Sequence, residues 1–139
     1  MKTLTFLTLG TRDLDRTNDF YGDAFGWSPS FRTARTAMVQ MPGMVVSVFL
    51  WDDLAADMAA DGPLGTGAIA LAHNVRTEAE LAPLLDRMVA AGGRMLRAAD
   101  APPHGGPRGY AAGPDGHPWE IACHPALIPD AAGRLGPPR

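Results

Sequence analysis

The sequence predicts an α+β fold built from two similar βαβββ modules that share one core. Three observations carry this. Each half of the chain reads as a strand, an amphipathic helix and three further short strands, which is an internal repeat. The 16 Gly and 13 Pro punctuate the chain into many short elements. With three or four strands each, neither half is expected to be stable alone, whereas 139 residues suit one domain with a real core.

The elements follow in order. Residues 4–10, "LTFLTLG", alternate as a strand does. Asp13 stands at an N-cap, and Leu14 to Phe25 carries Leu14, Phe20, Tyr21, Ala24 and Phe25 mostly on one helical face. Gly26 ends that helix. Short strands are expected at 27–32, 36–41 and 44–51, with Pro42-Gly43 turning the last two into a hairpin. Residues 52–66 form a linker rich in Asp, Ala and Gly, with room for one helical turn at 53–60. The pattern then repeats. Residues 67–75 read as a strand, and Thr77 caps a helix over about 78–91 with the stripe Leu81, Leu84, Leu85 and Met88. Gly92-Gly93 stop it, and strands follow near 94–98, 108–112 and 118–123. One domain over 1–125 is thus expected, with module 1 at about 4–51 and module 2 at about 67–124. The Pro-containing tail, 126–139, lacks periodicity.

Composition narrows the function. Hydrophobic residues make up 46% and charged residues 19%, as in an ordinary globular domain. The net charge is -3 with no basic stripe, which argues against a nucleic-acid partner. No apolar run could span a bilayer, so no membrane partner is expected. The N-terminal apolar run soon meets Arg12 and Asp13, which favours a first strand over a signal peptide. The single cysteine, Cys123, excludes an internal disulfide and fits a reducing cytoplasm, the expected location.

Two motifs sharpen the reading. "LGTRDLDRTNDFYGDAFGW" (Leu9 to Trp27) and "GYAAGPDGHPWEI" (Gly109 to Ile121) resemble the two signatures of the vicinal oxygen chelate superfamily. This is the glyoxalase, bleomycin-resistance and dioxygenase group; here Gly113 replaces the usual first Asp of its D-P-D-G hairpin. The resemblance implies curved sheets forming an open, cup-shaped mixed barrel with the ligand inside. In metal-dependent members, four inward positions hold a divalent ion. They fall here on Phe6, Ser47, Ala68 and Glu120.

Only Glu120 of these is a strong ligand. Between Ser28 and Trp51 there is no His, Asp, Glu or Cys, so no shift of alignment repairs the first module. His73 lies five residues past Ala68, an odd offset that turns it to the other sheet face. The stretch "GPDGHPWEIACHP" does not substitute. Glu120 and His124 would share a face about 13 Å apart at ~3.3 Å per residue, whereas zinc holds its ligand atoms at ~2.0–2.2 Å. No metal and no cofactor are expected.

The expected ligand-binding residues are Phe6, Thr8, Val45, Ser47, Phe49, Trp51, Ala68, Tyr110 and Glu120. Strand parity suits Phe6, Val45, Phe49 and Trp51 to an apolar lining, though plain core filling fits them too. Glu120 reads as an inward carboxylate, either a base or cation-binding group, or one hydrogen-bonded to Thr8 or Ser47. Trp119, Ile121 and Cys123 should back the sheet, with Cys123 a structural thiol. His117 and His124 are expected at the periphery, and His104 in a loop that could cover the cup. Arg94, Arg97 and Arg108 could meet an anionic ligand or be solvated. Met38, Met41 and Met44 could give a deformable surface.

The resemblance therefore implies a metal-free, small-molecule-binding homodimer that sequesters an apolar or aromatic compound, as drug-resistance members do. The alternative is a lyase, isomerase or dioxygenase with Glu120 as catalytic base or residual metal ligand.

Overall fold

The computed structural model describes residues 3–66, 68–103 and 106–136. In the first half, β1 (Phe6–Thr11) runs parallel to β4 (Met44–Leu50). β4 pairs antiparallel with β3 (Thr36–Met41), and β3 with the short β2 (Phe31–Arg32), giving the order β1-β4-β3-β2. The second half repeats this with β5 (Leu71–Asn74), β8 (Pro118–Ala122), β7 (Arg108–Ala112) and β6 (Arg94–Asp100), in the order β5-β8-β7-β6. Among the described residues the two sheets remain separate and do not close into a barrel.

Local signals place the helices. In α1 (Leu14–Phe25), Asp13 accepts from the Arg16 backbone N–H, and Gly26 ends the helix at φ 72°. Thr77 and Glu80 form a capping box around a 3-10 turn that leads into α3 (Leu81–Ala90). The stripe Leu81, Leu84, Leu85 and Met88 is buried, as its spacing predicts.

The helical backs of both sheets form one core. Phe20 of α1 is fully buried and crosses the module boundary. A Cβ on Gly93 would stand 3.0 Å from its ring and 2.6 Å from the Ala112 carbonyl, so only glycine admits this approach. Tyr21 stacks on Trp27 at 4.8 Å and meets Trp119 edge-on at 5.9 Å. Trp119 Nε1–H also donates to the Tyr21 hydroxyl at 3.3 Å. The β7–β8 hairpin adds a polar clamp. Asp115 accepts from the Arg12 backbone N–H at 3.1 Å and from the Thr17 hydroxyl.

Several boundaries depart from expectation. The strand expected over 27–32 is confined to Phe31–Arg32, and the one expected near 94–98 runs on to Asp100. The strand expected to reach Trp51 stops at Leu50, and Trp51 opens α2 (Trp51–Asp57) instead. Asp52 and Asp53 in its first turn complement the positive end of the helix dipole. The strand expected over 67–75 is confined to Leu71–Asn74, and Ala68 sits in an exposed bend before it. Small residues such as Ala68 and Ala70 have little side chain to pack across a sheet. The tail forms no helix or strand over its described part. Asn74 holds it by donating to the Leu127 carbonyl at 2.8 Å. No helix among the described residues is long and apolar enough to cross a membrane.

Candidate functional site

Strand parity separates each sheet into a back and a face. In β1, Leu9 and Thr11 are buried against the helices, so Phe6, Thr8 and Gly10 occupy the face. Register carries the face across to β4: Phe6 pairs with Val45, Thr8 with Ser47 and Gly10 with Phe49. The Thr8 and Ser47 hydroxyls bond to each other at 2.7 Å. Ser47 is only 3% exposed.

A cavity of about 200 Å³ lies where the edge strands β1 and β5 approach each other. Thr8, Gly10, Leu71 and Pro118 line it from the sheets, and Trp51, Leu54 and Met58 close it from α2. The glycine is required: a Cβ on Gly10 would lie 3.0 Å from Trp51 Cε3. The Arg12 guanidinium sits 5.0 Å from the Trp51 ring centroid and helps hold that ring in place. The polar lining includes Thr8, Thr66 and His117. His117 Nε2 lies 2.8 Å from the Gly10 carbonyl, which can only accept, so the proton is on Nε2.

The face of the second sheet is different in kind. Tyr110 pairs with Glu120, and Arg108 with Ala122, which places Tyr110 on the same face as Glu120. Burial raises the Tyr110 hydroxyl above its ordinary value, and the hydrogen-bonding and charged Glu120 carboxylate raises it further. Arg97 and Arg108 oppose that shift. Both arginines form ion pairs with Asp100, Arg97 at 2.9 Å.

Of the nine expected ligand-binding residues, the cavity gathers Thr8 and Trp51. Phe6, Val45, Ser47 and Phe49 share the first face but lie outside the cavity lining. Tyr110 and Glu120 lie on the second face, and exposed Ala68 joins neither group. Trp51 does line the site, but from a helix rather than a strand. The Thr8 and Ser47 hydroxyls bond to each other, and Glu120 neighbours Tyr110 instead. His117, expected at the periphery, is part of the cavity wall. Leu54 and Met58 were also missed; their i, i+4 spacing was the available signal.

The backing residues behave as expected. Trp119 is 5% exposed and Ile121 fully buried, and Cys123 packs partly buried against the core. His73 meets Phe25 edge-on at 5.8 Å. Loss of water there lowers its pKa, with Glu80 opposing and Arg87 assisting. His124 Nδ1 accepts from the Ala126 backbone N–H at 3.2 Å. His104 lies outside the described residues. Among the described residues, no group of three or more His, Cys, Asp and Glu is placed to hold a metal ion. The donor set at the four positions implied by the resemblance does not fit one either. Phe6 and Ala68 offer no donor, and the Ser47 hydroxyl is engaged by Thr8.

The profile of the Glyoxalase/Bleomycin resistance protein/Dioxygenase superfamily matches residues 3–121. The chain belongs to this superfamily. A glyoxalase-related enzyme from Fulvimarina pelagi is 46% identical, with a TM-score of 0.92 and 100% of both chains covered. More distant superfamily folds include a lactoylglutathione lyase from Agrobacterium tumefaciens. It is 19% identical with TM-score 0.66, covering 87% of this chain and 92% of that one. The fosfomycin resistance protein FosX from Listeria monocytogenes is 19% identical with TM-score 0.69, covering 88% and 93%. At that identity the likeness is of fold. No curated protein matches the chain.

Proposed function

We propose that this superfamily member binds a small apolar or aromatic molecule at the junction of its modules, without a metal, and that sequestering the molecule is its function. The carrying observation is the 200 Å³ cavity, with walls of Leu7, Leu9, Trp51, Leu54 and Ile69 and few polar groups. A dry apolar cavity of about 150 Å³ can hold benzene, so this one suits a single ring. The donor set supports a metal-free site. The name of the Listeria neighbour shows that resistance proteins use this fold. The single cysteine favours a cytoplasmic location, and the net charge of -3 disfavours nucleic acid. A homodimer with sites shaped by both chains fits Phe6 and Phe31, which are 48% and 52% exposed. Light scattering would test that assembly.

The binding test is calorimetric titration with p-cresol and related single-ring compounds. Saturable binding is expected, and Leu54→Trp should fill the cavity and abolish it while preserving the thermal transition. Absence of binding across the panel would overturn the reading. So would stoichiometric uptake of Zn²⁺, Ni²⁺ or Fe²⁺ that Glu120→Ala removes.

One observation favours the catalytic alternative. Tyr110 and Glu120 form an acid–base neighbourhood on one face, and the Fulvimarina relative is described as an enzyme. In that case Glu120 would serve as base in a lyase, isomerase or dioxygenase reaction. A pH–rate profile following one carboxylate and abolished in Glu120→Gln would support it.

A further inference from the structure

The geometry points to a second site, independent of the junction cavity: an oxyanion subsite on the face of the second sheet, formed by Arg97 and Arg108. The subsite is built from β6 outward. In a regular strand, Arg94, Arg97 and Asp100 would alternate between faces, being three residues apart. Two irregularities in the β6–β7 ladder, one between Met95 and Arg97 and one between Arg97 and Asp100, cancel that alternation. Arg94 therefore pairs with Ala112, Arg97 with Tyr110 and Asp100 with Arg108. Bulges re-aim side chains in this way and recur beside functional sites.

The result is a charged row on one face. Asp100 bridges the Arg97 and Arg108 guanidiniums through one Nη1 of each. Each guanidinium has five N–H donors in a planar fork, so most remain available to a second acceptor. Arg108 Nη1 is buried and engaged by Asp100, so the other donors of its fork are the ones open to a second acceptor. Arg108 is 21% exposed in its side chain, whereas Arg97 and Asp100 are half exposed, so the row opens to solvent on one side. Arg94, Arg97 and Arg108 against Asp100 and Glu120 leave this face one positive charge in excess, in a chain whose net charge is -3. A carboxylate or phosphate oxyanion meets both the charge and the planar donors there.

Titration at constant ionic strength tests this, with inorganic phosphate and benzoate as probes and chloride as control. The readout is the Nε–Hε signals of Arg97 and Arg108 in nitrogen-15 spectra. Saturable shifts with either probe are expected, and the tighter probe identifies the oxyanion class. Arg108→Met keeps the apolar stem and should weaken binding about tenfold, as loss of a charged hydrogen bond implies. Arg97→Met, at a more exposed position, should weaken it similarly if Arg108→Met fails to fold. Asp100→Asn removes the internal competitor and should tighten binding several-fold, which a purely structural ion pair would not do. Shifts no larger than with chloride, or unchanged or weaker binding in Asp100→Asn, would overturn the inference.

Discussion

The two sheets have the same strand order and the same buried backs, yet opposite faces. The first face carries Phe6, Val45 and Phe49, and its polar pair, Thr8 and Ser47, is satisfied internally. The second carries Arg97, Asp100, Arg108, Tyr110 and Glu120. The backs are alike because both must pack into one core, where volume changes are costly. The faces are under no such constraint and differ. For this chain the backs identify the fold, and the faces are where the two modules differ in chemistry.

The largest expected effect tests the common back. Phe20 is fully buried and touches Gly93 and Gly113 of the second module. Phe20→Ala should cost about 3–5 kcal/mol in urea unfolding, and both modules should unfold in one transition. Phe6→Ala, at a face position 48% exposed, should cost less than about 1 kcal/mol. Comparable losses in the two variants would erase the distinction between back and face.

Back and face were not equally legible in the sequence. The helix stripe Leu81, Leu84, Leu85, Met88 and the caps Asp13, Gly26 and Thr77 were readable, because periodicity and capping are local. So was the turning of Trp119 and Ile121 away from Glu120, from strand alternation. The cavity was not. Its walls come from β1, α2, residues 64–66, Ile69, Leu71 and the β7–β8 turn, which tertiary packing alone brings together. His117 looked peripheral because its partner, the Gly10 carbonyl, lies 107 positions away along the chain. The orientation of Arg97 was likewise hidden, since period-2 reasoning fails across a bulge.

The next effect separates the tyrosines of back and face. Burial of Tyr21 raises its pKa from 10.0 to about 12, with the Trp119 hydrogen bond opposing and the Asp115 charge assisting. The folded state thus retains a proton that the unfolded state releases. Stability from this group is fully present below pH 10 and declines between pH 10 and about 12. A shift of that size is on the order of 3 kcal/mol. Tyr21→Phe should flatten that part of the stability profile, measured by urea unfolding at each pH. An unchanged slope would mean that Tyr21 is not sequestered from water in the core.

The smallest effect tests the chemistry of the second face directly. In a Tyr21→Phe background Tyr110 is the remaining tyrosine, since the chain has 2, so near-ultraviolet absorbance follows it alone. Burial and Glu120 raise its pKa, while Arg108 and Arg97 lower it. Glu120→Gln removes the carboxylate charge and should lower the pKa. Arg108→Met removes a stabilising cation and should move it the other way. Ser47→Ala changes only the self-paired hydroxyls of the first face and should leave the titration where it was. Opposite shifts from Glu120→Gln and Arg108→Met would tie both groups electrostatically to one tyrosine. If neither variant moved Tyr110, the second face would be a set of separately solvated charges and its contrast with the first would be one of composition alone.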